Sequence, residues 1–242
     1  MRTKQPVLTI RKMSVCIALT TVLLSCATVA GDRKISVDAV SEIHVSGDGR
    51  KIALVSRYPD GAVVDVIARG TSGAKPILAI SEAFLSKRLE DARISSVEWS
   101  ASGRWLKIEV SDGDVDQSVF VIDVTAGIDT LQEIRAAGRP VTSGSWSRSG
   151  DQLYVATSLE DGDVSEADGI YVVYLAEGRV RQLIRGVAVS ARLAVADERI
   201  ITKIQHVDDD VVRHVLVTID LLTGKLRRLL PESERRPSGA TR

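Results

Sequence analysis

The stretch GSWSRSG, Gly144 to Gly150, sets Ser147 among small residues and glycines, as hydrolase nucleophile turns do. A nucleophile elbow needs Gly-x-Ser-x-Gly, because the sharp strand-to-helix turn tolerates only small neighbours. Here Ser145 stands where the first Gly should be. Ser147 also shares its register with Ser46 and Ser100, each one residue after an apolar anchor, so it reads as a turn serine. His44, His206 and His214 fall within or beside predicted strands. The chain carries no phosphate-cradling Gly-x-x-x-x-Gly-Lys and no Cys/His set for zinc. The expectation is therefore no catalytic residue, no cofactor and no metal centre.

Aspartates are the other concentration of chemistry. They cluster in YPDGA, SDGDVDQ, LEDGDVSEAD and HVDDDVV, and comprise Asp60, Asp112, Asp114, Asp116, Asp161, Asp163, Asp208, Asp209 and Asp210. Asp112-x-Asp114-x-Asp116 has the opening spacing of a calcium loop, which supplies hard oxygen ligands. Gln117 replaces the Gly such a loop needs, and the twelfth position, Asp123, falls in a predicted strand. Two readings remain: solvated hairpin turns, which favour Asp and Gly, or a docking rim for a basic partner. Trp99 and Trp146 hold equivalent positions and read as packing residues, leaving Trp105 as the more accessible tryptophan. Aromatic residues make up 4% of the chain, too few for an extended sugar or single-strand nucleic-acid platform.

These residues are positioned by a repeat. VSGDGRKIALV, WSASGRWLKIEV and WSRSGDQLYVAT align without gaps, turning at Gly49, Gly103 and Gly150. A weaker fourth copy, VADERIITKIQ, puts Glu198 at the glycine position; the spacings are 54, 47 and 48 residues. Each copy is followed by a β-branched strand ending at Gly70, Gly127, Gly178 or Gly224, then by a short strand in KPILAI, LQEI, VRQLI or KLRRLL. Four strands per unit of roughly 45 residues is the blade period of a β-propeller. The fold class expected is all-β, an array of about four four-stranded blades that is incomplete or open. A β-sandwich with coincidental repeats is the alternative. Ser81 to Ala92 reads as a short helix N-capped by Ser81, packing outside the second blade.

Trp99-Ser100, Trp146-Ser147, VFVIDVTAG and GIYVVYLAEGRVRQL resemble the TolB-type, WD40-like propeller repeats of bacterial envelope proteins. The family's Pro-Asp is absent, and Ser46-Gly47-Asp48-Gly49 comes nearest to it. That family closes with six or more blades, whereas four are countable here. The resemblance implies an envelope protein that binds a protein or peptidoglycan-associated partner through its loops. Serine peptidases of the prolyl oligopeptidase type carry similar repeats, so a shortened or degenerate peptidase propeller lacking its catalytic domain is the alternative.

Arg2, Lys4, Arg11 and Lys12 precede the apolar run Val15 to Leu24 and then SCATVAG, the plan of a secretory signal peptide. Met13 to Ala30 is short and polar for a membrane span. LLSC, Leu23 to Cys26, resembles a bacterial lipobox, although Leu24 is larger than that motif prefers. Lipidation at Cys26 is the expectation and cleavage after Ala30 the alternative. By the same resemblance, Ala27 permits outer-membrane sorting. Both cysteines, Cys16 and Cys26, lie in this segment, so the folded domain has no internal disulfide. Without the four leading cations the chain holds 28 basic and 32 acidic side chains, which gives no electrostatic footprint for nucleic acid. The divisions expected are signal peptide 1–26, linker 27–38, repeat domain 39–230 and disordered tail 231–242. The function expected is a non-enzymatic, lipid-anchored scaffold in the periplasm or at the outer membrane, with a protein partner. Self-association follows if the array is open.

Overall fold

The computed structural model describes residues 34–70, 75–111, 117–157, 164–189, 192–196, 198–208 and 211–229. The signal segment with Cys26 and the tail 231–242 lie outside the described residues. So do Asp112, Asp114, Asp116, Asp161, Asp163, Asp209 and Asp210. Among the described residues no helix is long and apolar enough to cross a membrane.

The chain forms four antiparallel sheets in sequence order. The first contains β1 (Val40–Val45), β2 (Lys51–Tyr58), β3 (Gly61–Ala68) and β4 (Leu78–Ser81). The second contains β5 (Arg93–Trp99), β6 (Trp105–Ser111), β7 (Gln117–Asp123) and β8 (Gln132–Glu133). The third contains β9 (Arg135–Ala136), β10 (Arg139–Trp146), β11 (Gln152–Thr157), β12 (Gly169–Tyr174) and β13 (Arg179–Arg185). The fourth contains β14 (Ala188–Val189), β15 (Ala194–Ala196), β16 (Arg199–Asp208), β17 (Val211–Asp220) and β18 (Leu226–Arg228), with β14 and β15 both pairing β16. Four separate sheets in an open propeller-like array replace the two facing layers that a sandwich requires.

The middle strands are buried on both faces, which is why they read as nearly continuous apolar runs. Alternate residues feed two different seams. Leu106, Ile108 and Val110 of β6 pack with Ala53, Val55 and Val64 of the first sheet. Trp105 of β6 and Val119 and Val121 of β7 pack with Trp146, Leu153 and Tyr171 of the third. Tyr154, Ala156 and Val172 then meet Ile200, Ile204 and Val217 of the fourth. Three seams therefore join four sheets, and among the described residues no apolar cluster joins the fourth to the first.

The repeated serine turn closes each of the first three sheets in the same way. The hydroxyl oxygen of Ser46 accepts from Lys51 N at 2.9 Å, Ser100 from Trp105 N at 3.1 Å, and Ser147 from Gln152 N at 3.2 Å. The amides of Gly49, Gly103 and Gly150 donate back to the serine carbonyls. These turns touch one another: Lys51 Nζ donates to the Gly103 carbonyl at 3.0 Å, and a Cβ on Gly47 would collide with the Ala101 carbonyl. A Cβ on Gly150 would lie 2.6 Å from Ala101 N, at a φ of +77°. Gly150→Ala combines left-handed backbone cost with a backbone collision, and should destabilise by about 3 kcal/mol. Gly178→Ala shares the positive φ but meets nothing within 4 Å, so about 1 kcal/mol is expected. Urea denaturation of the two variants checks the difference.

Two expectations change in detail. The fourth repeat is one residue out of the expected alignment, because Leu221 N donates to the Glu198 carbonyl as Val124 N does to that of Arg104. Glu198 thus takes the place of Arg104 rather than Gly103. The cause is a tighter turn, with Ala196 pairing Arg199 where the second sheet pairs Trp99 with Leu106. The helix α1 (Glu82–Leu85) is a single turn capped as expected, Ser81 Oγ accepting from Phe84 N at 3.1 Å. It does not pack outside the second sheet: Leu85 is buried in the first seam, because the turn inserts between the two sheets.

Candidate functional site

In the first three sheets the strand ends at Tyr58 and Gly61, Ser111 and Gln117, and Thr157 and Gly169 lie opposite the serine turns. Because the serine turns of these three sheets pack together, those strand ends share the other end of the array. Asp60 is exposed there, beside the Tyr58–Gly61 pair that closes the first hairpin. It borders a cavity of about 330 Å³ lined also by Tyr58, Val63, Ser81 and Ala83. Asp208 pairs Val211 at the corresponding tip of the fourth sheet. The remaining expected rim residues lie outside the described ones.

Ser147 is buried, and its hydroxyl is held within the turn by Gly150 N, Gln152 N, Ser149 and Asp151. Its role is that of Ser46 and Ser100. The tryptophans are fastened as well. The indole of Trp99 donates to the His44 carbonyl at 2.9 Å, and that of Trp146 to the Glu98 carbonyl at 3.4 Å, each stitching its first strand to the preceding sheet's. Trp105, expected to be accessible, is 7% exposed in the second seam beneath the Arg104 guanidinium, because its strand is covered on both faces. Asp123, the twelfth position of the calcium-like spacing, is bound by Arg104, Thr125 and the Thr130-anchored turn. Burial pushes its carboxyl up, but the Arg104 and Thr125 hydrogen bonds outweigh this and hold it below the ordinary range.

A charged group that the sequence reading missed lies in the second seam. Lys107 and Glu109 occupy alternate positions of β6, on the face turned to the third sheet. Both are buried. Lys107 Nζ meets Glu98 Oε2 at 2.6 Å and Glu109 Oε1 at 3.1 Å, and donates to the Gly144 carbonyl. Glu109 accepts from Ser96 Oγ at 2.7 Å and pairs with Arg192 Nη2 at 3.0 Å. Arg192 sits where the first strand of the fourth sheet is broken between β14 and β15, so it reaches past the third sheet to the second. Burial raises the Glu109 carboxyl, yet Lys107, Ser96 and Arg192 together bring it below its ordinary value. The signal was legible: WLKIEV breaks an apolar strand with two opposite charges two residues apart, which places them on one face.

β1, β5 and β10 are linked in series by the indole bonds, and polar side chains recur along them. Glu42 pairs with His44 at 3.2 Å and with Arg57 at 3.2 Å, while Glu98 and Ser145 follow on the next two sheets. Among the described residues no group of three or more His, Cys, Asp or Glu could hold a metal ion.

No family model and no curated protein matches the chain. Solved structures do. The β-propeller domain of the trilobed protease from Pyrococcus furiosus, described as having an open velcro topology, is 17% identical, with a TM-score of 0.52 over 80% of this chain and 57% of that one. Hydrazine synthase from Kuenenia stuttgartiensis is 16% identical, with a TM-score of 0.51 over 77% of this chain and 53% of that one. TolB from Acinetobacter baumannii is 16% identical over 79% of this chain and 43% of that one, with a TM-score of 0.46. The chain thus spans about half the length of these structures, and the likeness is one of fold: a β-propeller-type array.

Proposed function

We propose that this protein is a non-enzymatic, exported binding module of the cell envelope, lipid-anchored through Cys26, whose acidic hairpin loops dock a basic protein partner. The observation that supports this most directly is the division of the array into two ends. One end is closed by serine turns that pack on each other. At the other are the strand ends next to Asp60 and Asp208, and SDGDVDQ and LEDGDVSEAD follow the corresponding strands in sequence. A rim of one charge sign attracts a partner of the other and fixes its orientation.

The test is capture from cross-linked envelopes with the wild-type chain, a rim variant carrying Asp60→Lys, Asp114→Lys and Asp208→Lys, and a Cys26→Ala control. The partner recovered with wild type should fall at least tenfold with the rim variant, whose urea midpoint should be unchanged. Equal recovery with both would remove the rim from the reading.

The alternative, a peptidase propeller without its catalytic domain, draws support from the likeness to the trilobed protease's propeller domain. It predicts that the captured protein is a separate hydrolase chain whose substrate range narrows when this chain is bound.

A further inference from the structure

Sheets two, three and four each turn an apolar face to the preceding sheet. At one shared register these faces carry Leu106 with Ile108, Leu153 with Val155, and Ile200 with Thr202, all buried. The first sheet bears the same face, with Ile52 and Leu54 at that register. Among the described residues no sheet of the chain stands on it. Val45, which pairs Ile52 as Trp99 pairs Leu106, is 56% exposed, and Ile43 beside Leu54 is 64% exposed.

The fourth sheet presents the complementary half. Its Arg199, Ile201 and Lys203 correspond to Trp105, Lys107 and Glu109, and its Leu216 and Thr218 to Val119 and Val121, the face that the second sheet turns to the third. Arg199 and Lys203 are exposed, and Ile201 and Leu216 are half-exposed. The chain therefore carries at its two ends the two halves of one more seam. The halves differ in charge. The first sheet's face holds Asp65, buried at the position filled by Phe120, Tyr171 and Val217 in the others. The fourth sheet's face holds Arg199, Lys203 and Arg227, with Asp220 beside Arg199.

We propose that the occupant of both faces is a second copy of this chain. Two copies join head to tail about a two-fold axis, the first sheet of each against the fourth sheet of the other, closing one ring of eight sheets. Closure satisfies both ends at once, whereas head-to-tail contacts that fail to close grow into filaments. That the chain spans 57% of the trilobed protease's propeller domain agrees with a half-ring.

Light scattering of the exported chain carrying Cys26→Ala, at about 50 μM, tests this. The wild type should have the mass of a dimer. Ile43→Arg and Leu216→Arg should each weaken the dimer at least tenfold while leaving the circular dichroism spectrum and urea midpoint unchanged, and Val45→Lys should repeat the first result. An equimolar mixture of Ile43→Arg and Leu216→Arg chains should recover dimers, since one of the two seams then pairs two unaltered faces. A wild-type monomer, a dimer indifferent to these changes, or mass that climbs steadily with concentration would overturn the proposal. So would a monomer that dimerises only after residues 27–33 are removed, which would make that segment the occupant.

Discussion

Glu82→Ala should cost about 4 kcal/mol in urea denaturation, more than any other carboxylate-to-alanine change in the first seam. The Glu82 carboxylate is buried, and each oxygen takes a backbone amide from a different sheet: Oε2 from Ala62 N at 2.8 Å and Oε1 from Ile94 N at 2.7 Å. Truncation leaves two buried N–H groups without an acceptor, each worth about 1–3 kcal/mol. Glu82→Gln keeps one acceptor and turns an amide group toward the other N–H, so roughly half the loss is expected to remain. Arg93 also approaches Glu82, at 3.5 Å, but its side chain is 64% exposed. Arg93→Ala should therefore cost less than about 1 kcal/mol. If Arg93→Ala matched Glu82→Ala, the ion pair rather than the backbone bridge would hold the seam.

The second large effect belongs to Lys107. Lys107→Met fits the seam but strips Glu109 of its buried cation, leaving a buried carboxylate with Ser96 and the solvent-facing Arg192. Breaking such a pair from one side costs about 3–5 kcal/mol. The pH dependence should change sign as well. In the wild type the Glu109 carboxyl is held below its unfolded value, so its stabilisation is complete above that value and is lost as pH falls through the folded one. Without Lys107, burial dominates and the folded carboxyl rises above the unfolded one. The variant then recovers stability relative to wild type as pH drops from 7 towards 5 and the group protonates. Urea midpoints at these two pH values decide the matter. A deficit independent of pH would mean that Lys107 acts through packing alone.

The architecture was readable because the repeat carries its own geometry. Serine, glycine and an apolar strand recur where Ser46, Ser100 and Ser147 close identical turns, and the strands that follow form the sheets expected of them. The fourth repeat slipped because alignment by spacing cannot see that a two-residue turn replaces a longer one. Trp105 misled for a related reason. Its burial depends on the third sheet packing over β6, a contact that no local pattern in WLKIEV announces. The charged group was missed because its members come from separate strands of three sheets: Ser96 and Glu98 from β5, Lys107 and Glu109 from β6, Gly144 from the third sheet and Arg192 from the fourth. Glu82 read as an ordinary residue of a short helix, since its partners Ala62 and Ile94 contribute only backbone.

The broken first strand of the fourth sheet bears on how the chain acquires its shape. Every sheet is a meander of neighbouring segments, so each can form while later residues are still being synthesised. The exception is the reach from Arg192 back to Glu109, which spans two sheets and can form only after both exist. Assembly is thus directional: three sheets accumulate in order, and the last is clamped by a contact that waits for it. A chain stalled before residue 192 should already protect the first two seams from hydrogen exchange, with Glu109 still open to water.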